Sequence, residues 1–204
     1  MTTLALAVAP SRARSNTFGY QLAMALIGSW LIAGLAQLSI HLPFTPVPIT
    51  GQTLGVLLVG AALGPAFGAL SVALYLLQAV LGLPVLAPNA NGSHDVGLAV
   101  LGSTAATGGY LWAFVVASAI VGALARRGWD RSLRGSIGMF FVGEVVIYAI
   151  GIPWLMRAVG LSLDEALAKG LYPFVVGDAV KLLLAAVLVP AAWRLTGPAT
   201  HARG

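Results

Sequence analysis

Long apolar runs follow one another along almost the whole chain. They are broken by short arginine-bearing loops and by two stretches rich in proline or glycine. This pattern constrains folding more tightly than any single motif. About 20 consecutive apolar residues match the hydrocarbon core of a bilayer, where helices satisfy their own backbone polar groups. Of the 204 residues, 59% are hydrophobic and only 8% are charged, whereas soluble domains carry about 25% charged residues. The chain is therefore read as an all-α polytopic membrane protein with one membrane domain, and an ordinary soluble domain is excluded.

The apolar runs place spans at about 18–40, 66–83, 108–125, 137–156 and 171–195, with a short apolar piece at 53–63 that ends at Gly64-Pro65. Charge decides whether that piece is a separate span. With six transmembrane helices, eight of the eleven basic residues fall on one side: Arg12, Arg14, Arg126, Arg127, Arg131, Arg134, Arg194 and Arg203. With five, the 126–134 arginines would move to the side opposite Arg12 and Arg14. The positive-inside rule favours six, with both termini cytoplasmic. The expected organisation is a cytoplasmic tail at 1–17, a membrane domain at 18–195 and a second cytoplasmic tail at 196–204. The opening MTTLALAVAP lacks a basic start and a long apolar run, so it is read as a mobile tail rather than a cleaved leader. The net charge of +5 follows from these loops and tails and is not a nucleic-acid signature.

Three segments then fall on the outer face. They are a Pro-rich loop at 41–52, a Gly/Asn/Ser-rich stretch at 84–107, and a short helix that starts at the capping box Ser162-Leu-Asp-Glu165 and stops near Gly170. Long loops without periodicity are commonly lids or binding loops, which suggests capture of a ligand from outside.

The chemistry concentrates in the last span, where Asp178 and Lys181 share one helix face at i, i+3 spacing. Each charge at the centre of a spanning helix costs roughly 2.5–3.5 kcal/mol on insertion scales. An i, i+3 pair stabilises a helix by only a few tenths of a kcal/mol. The pair is read as a ligand site in which Asp178 accepts N–H donors and Lys181 donates to a carbonyl or carboxylate; a bare ion pair or a proton relay are the other readings. Glu144 also lies mid-span with Tyr148 one turn later, and interhelical glue is its plainer reading. Thr107-Gly-Gly-Tyr110 opens a span with glycines that allow close approach and a tyrosine that offers a flat wall and a hydroxyl. Asn89 and Asn91, with His94 and Asp95, read singly as solvated loop residues. Ala25, Ser29 and Ala33 form a small-residue stripe for close helix packing, either internal or against a partner.

Several absences narrow the function. The chain has no cysteine and no GxxxxGK[ST] phosphate loop, and His41, His94 and His201 have no metal-site spacing. No Ser/His/Asp arrangement is evident. An enzyme is not expected, nor is a cofactor; an ATP-driven process would need its motor on another chain.

Five segments resemble a known family: AQLSIHLPFTPVPITGQTLGVLLVGAALGP (36–65), GALSVALYLLQAVLGLPVLA (68–87), TGGYLWAF (107–114), YAIGIPWL (148–155) and PFVVGDAVKLLLAA (173–186). Together they are similar to BioY, the biotin-specific substrate-binding (S) components of energy-coupling factor transporters. The resemblance implies a six-helix S-component bundle in a prokaryotic cytoplasmic membrane, with a biotin pocket near the outer face under the first and third-to-fourth-span loops. It implies that Asp178 accepts from a ureido N–H and that Lys181 donates to the ureido carbonyl or the valerate carboxylate. Tyr110, Asn89, Asn91, Gln52, Glu144 and Tyr148 are the remaining candidate binding residues. The implied partners are a membrane coupling protein, docked on Ala25, Ser29 and Ala33, and two cytosolic ATPase subunits. A solitary biotin carrier and an ion- or proton-coupled transporter are the alternatives. The family pattern Pro-Thr-Gly-Gly-Tyr has Ala106 in place of the proline. Residues 84–107 contain no arginine for the carboxylate, which leaves Lys181, backbone N–H groups, Asn89 or Asn91.

Overall fold

A computed structural model describes residues 3–10 and 16–196. Seven α-helices account for most of it: α1 (Leu4–Ala7), α2 (Thr17–Ala36), α3 (Gln52–Val80), α4 (Gly108–Arg126), α5 (Leu133–Val159), α6 (Leu163–Gly170) and α7 (Val175–Leu195). A two-stranded antiparallel ladder, β1 (Ser39–Ile40) with β2 (Ile49–Thr50), pinches the base of the Pro-rich loop. This ladder is a small departure from the expected all-α fold. It forms because the Pro-rich stretch, which cannot continue as helix, turns and bends over residues 43–47 and returns the chain on itself. Among the described residues, α2, α3, α4, α5 and α7 are long and apolar enough to cross a membrane.

Helix α3 is not one rod. Gly64 has φ 81° and ψ −178°, a conformation essentially open only to glycine, and Pro65 then starts the second arm as a first-turn proline. The two arms, 52–63 and 65–80, fold back on each other. The Gln52 side-chain amide donates to the Tyr75 hydroxyl, although 23 residues of straight helix would hold them about 34 Å apart. Close approach requires small residues here. A Cβ on Gly68 would lie 2.8 Å from the Gly60 Cα, and one on Gly60 would lie 2.6 Å from the Ser118 carbonyl oxygen on α4.

Helix α2 packs along α3 and uses its small residues to do so. Ala25, Ser29 and Ala33 are buried, and Ser29 accepts from the Gln78 side-chain amide at 3.0 Å. The stripe expected to dock a partner is therefore taken up inside the chain. The outward face of α2 carries Leu22, Ile27 and Trp30 instead. The described part of the 1–17 tail also packs down. Ala5 and Ala9 are buried, and Tyr20 donates to the Ala5 carbonyl at 3.2 Å. The apolar character of this stretch explains its attachment where mobility was expected. Arg12, Arg14 and residues 197–204 lie outside the described residues.

Two apolar clusters fill the bundle. One, which includes Tyr75, Phe114, Ile147 and Leu155, runs from Val47 and Val100 at the ladder end to Ala5 and Leu63 beside Gly64. The other, around Leu57, Val121, Phe140 and Val189, lies toward the end that holds Gly64 and Arg126. At this second end, Trp193 donates to Asp130 at 2.5 Å and Arg131 stacks on the Trp193 ring at 3.3 Å from its centroid, which ties the α4–α5 turn to the end of α7.

Candidate ligand-binding site

A cavity of about 350 Å³ opens at the ladder end, and its lining comes from every part of the chain that reaches there. Val47, Leu86, Val100, Phe114, Ile147 and Phe174 give it apolar walls, and Asp178, Lys181, Tyr110, Tyr148, Gln52 and Thr53 give it a few polar groups. Such a balance is typical of pockets for small organic ligands.

The polar groups form one connected set. Asp178 lies in the first turn of α7, where the helix dipole favours a carboxylate. Its Oδ1 is paired with Lys181 Nζ at 2.6 Å, and its Oδ2 accepts from the Tyr148 hydroxyl. Lys181 also donates to the Thr50 carbonyl at 2.9 Å and to Thr53 Oγ1 at 2.7 Å. An ammonium has three donors, and all three are engaged. A carboxylate has about four lone-pair sites, so Asp178 keeps acceptor capacity facing the cavity.

The tyrosines are held rigidly. Tyr110 donates to the Gly170 carbonyl at 3.0 Å and meets the Tyr148 ring edge-on, with centroids 6.3 Å apart. Trp154 donates to the Ala105 carbonyl at 3.0 Å, which fixes the end of the 84–107 stretch against α5. At the opposite wall, Thr45 Oγ1 donates to the Lys169 carbonyl at 2.5 Å, so the Pro-rich loop is tied to the end of α6. The α6 cap is formed as its sequence predicts: Ser162 Oγ accepts from the Glu165 N–H, and Glu165 accepts from the Ser162 N–H at 2.9 Å. Hydrogen bonds donated to the carboxyl by the Ser162 N–H and by the Ser162 hydroxyl hold the exposed Glu165 side chain below its ordinary range.

Of the eight residues singled out from the sequence for binding, Asp178, Lys181, Tyr110, Tyr148, Gln52 and Asn89 line the cavity. Asn89 is partly occupied elsewhere, because its amide donates to Asp95 Oδ1 at 3.0 Å and to Ser93 Oγ at 3.2 Å. Asn91 is exposed and caps the same turn by accepting from the Ser93 N–H at 3.0 Å; it is not part of the lining. Glu144 also lies outside the lining. It is buried beneath the site, and neither carboxyl oxygen has a hydrogen-bond partner. Sequence reasoning passed over Thr50 and Thr53, which hold Lys181. Their only signal is their position beside Gln52 at the mouth of a helix.

The fold and cavity define a class, a polytopic helical membrane protein with a small-ligand pocket at one end of its bundle. The comparisons with known proteins narrow it further. The BioY family model matches residues 10–198, and the chain belongs to that family. It is 36% identical over 156 residues to the biotin transporter BioY of Rhizobium etli, covering 73% of this chain and 79% of that one. It is 40% identical over 154 residues to a protein of Pyrococcus horikoshii described as a "probable biotin transporter BioY", covering 75% and 83%. The crystal structure of the S-component for biotin from an ECF-type ABC transporter superposes with a TM-score of 0.76 at 26% identity, over 92% of this chain and 95% of that one.

Proposed function

We propose that this chain is the membrane-embedded biotin-binding subunit of an uptake system. The observation that carries the reading is the Asp178–Lys181–Tyr148 set at one wall of an otherwise apolar cavity. Biotin offers a urea with two N–H donors and one carbonyl, an apolar chain and a carboxylate. A ureido N–H reaches the open side of Asp178, and a Lys181 donor turns to the ureido carbonyl or to the carboxylate. The apolar walls take the ring and the chain, where burial contributes roughly 25 cal/mol per Å².

The chain crosses a prokaryotic cytoplasmic membrane six times in this reading, with the arms of α3 as the second and third crossings. The Gln52–Tyr75 hydrogen bond supports the fold-back. Arg126, Arg127, Arg131, Arg134 and Arg194 gather at the end opposite the cavity. By the positive-inside rule that end faces the cytoplasm, along with both termini, and the cavity faces outward. ATP-driven transport adds a coupling protein and two ATPase subunits. Their docking face is on a surface other than the buried Ala25, Ser29 and Ala33 stripe.

Isothermal titration of the purified protein in detergent tests the binding reading. One biotin per chain is expected, with loss of binding in Asp178→Asn. A well-folded protein that gives no heat with biotin would remove it. Co-purification of the tagged chain with ATPase subunits from its native host tests the motor-coupled form; its absence alongside intact biotin uptake would favour the solitary carrier.

A further inference from the structure

Glu144 is a strongly buried acid close to the binding site that the site leaves unused. It is 6% exposed, and both carboxyl oxygens lack a partner. Asp178 and Lys181 are the charges it feels from α7, with Tyr148 as a near neighbour on its own helix. Tyr110 is the titratable group that faces this cluster from α4. The arrangement has a matched register. Helix α5 runs toward the cavity and α7 runs away from it, so Glu144 lies one turn deeper than Tyr148, and Lys181 lies one turn deeper than Asp178. Tyr148 and Asp178 form the upper rung of this ladder. Glu144 and Lys181 stand at the level of the lower rung, but Lys181 reaches upward to Asp178, Thr50 and Thr53 instead.

An ionised carboxylate with no hydrogen bond at this depth is strongly disfavoured, and burial without a partner is tolerated only by a neutral group. Meanwhile Lys181 has no donor to spare for a ligand until it gives up a present partner. Resting on the biotin-binding reading above, we propose that Glu144 is a proton-exchanging positioning residue. It is the neutral acid in the empty site and becomes the second counter-charge of Lys181 when ligand occupies Asp178. Ligand N–H groups take acceptor sites on Asp178, Lys181 releases the Thr50 carbonyl to meet the ligand carbonyl, and it releases Thr53 Oγ1 to donate to Glu144. Glu144 then gives its proton to the solvent. No covalent bond other than O–H is broken. Lys181 stays an ammonium throughout, so the balance is one proton released per ligand bound.

Titration of biotin into the full-length protein, in buffers of equal pH and different ionisation enthalpy, counts that proton directly. Wild type is expected to release close to one proton near neutral pH, and its affinity is expected to rise about tenfold per pH unit across the window in which Glu144 exchanges. In Glu144→Gln the release and the pH slope vanish while binding persists. Glu144→Asp restores the release, which a purely structural role would not do; it also serves as the second variant if the glutamine protein folds poorly. Tight biotin binding by wild type with no proton released, or with the same release in Glu144→Gln, overturns the proposal. Absence of biotin binding by folded wild type instead overturns the underlying function.

Discussion

The Tyr148 hydroxyl donates to Asp178 across the interface of α5 and α7, on the oxygen that Lys181 leaves free. The carboxylate is thereby oriented from two sides, and its remaining lone pairs face the cavity. Tyr148→Phe removes one hydrogen bond to a charged group and keeps the ring. Such bonds contribute roughly 1.5–3 kcal/mol to stability, so the unfolding temperature is expected to fall by several degrees, and biotin affinity about ten- to a hundredfold as the carboxylate loses its orientation. Titration calorimetry and a melting curve on the same sample check both parts.

Removing either member of the ion pair is expected to have a larger effect. Lys181→Met leaves Asp178 buried beside apolar walls without its counter-charge, and breaking a buried pair in this way costs roughly 3–5 kcal/mol. Biotin binding should drop by at least about a hundredfold, and the protein should melt at a lower temperature. Asp178→Asn should lose binding with a smaller loss of stability, because the amide oxygen can still accept from Lys181 or Tyr148.

Gly64 separates stability from binding. A side chain there must adopt a glycine-only conformation, with its Cβ 3.0 Å from Thr3 Cγ2. Gly64→Ala is expected to destabilise the protein by about 1–3 kcal/mol. The residue is at the end away from the cavity, so the biotin dissociation constant of the folded fraction should change less than twofold. Thermal unfolding in detergent and titration at low temperature measure the two effects.

Thr45 ties the Pro-rich loop to α6 through the Lys169 carbonyl. Thr45→Val keeps the shape and removes the donor. Because the loop forms one wall of the cavity, exchange of bound biotin for labelled biotin should accelerate several-fold, with a smaller change in equilibrium affinity. An unchanged exchange rate would mean that the tie does not restrain the loop.

Asp130 predicts a pH dependence at the other end of the bundle. Burial pushes its carboxyl above the usual range, although the Trp193 indole and the Arg131 guanidinium pull it down. A raised folded value means that this residue's contribution is fully present below the ordinary aspartate value of about 3.9. It is lost as pH rises through the raised value. Asp130→Asn keeps an acceptor for Trp193 and removes this titration. Its unfolding temperature is expected to fall less than that of wild type between mildly acidic and neutral pH, as measured by melting curves across that range.

Much of this was legible without coordinates. Apolar runs marked the long helices to within a few residues, the Ser162–Glu165 box marked α6, and the cost of charge in a span singled out Asp178 and Lys181. Other features resisted because they depend on which surfaces meet. The stripe Ala25, Ser29, Ala33 has the same spacing whether it packs on α3 or on another protein. Asn89 and Asn91 look equivalent in the chain, but only Asn89 reaches the cavity wall. Thr50 and Thr53 carry no unusual sequence signal, since it is a backbone carbonyl and an ordinary hydroxyl that hold Lys181.

Hydropathy and charge along the chain already make it a bundle of apolar helices with a charged pair in the last one. Local hydropathy and the cost of desolvating charge act residue by residue and need no partner to be read. Tertiary packing makes α3 double back at Gly64 and sets Tyr148 and Lys181 against Asp178 from two helices. It also makes the small-residue stripe internal and leaves Glu144 bare beneath the site. Each of these depends on contacts between segments far apart in the chain, and close packing selects among them only once all the helices are in place.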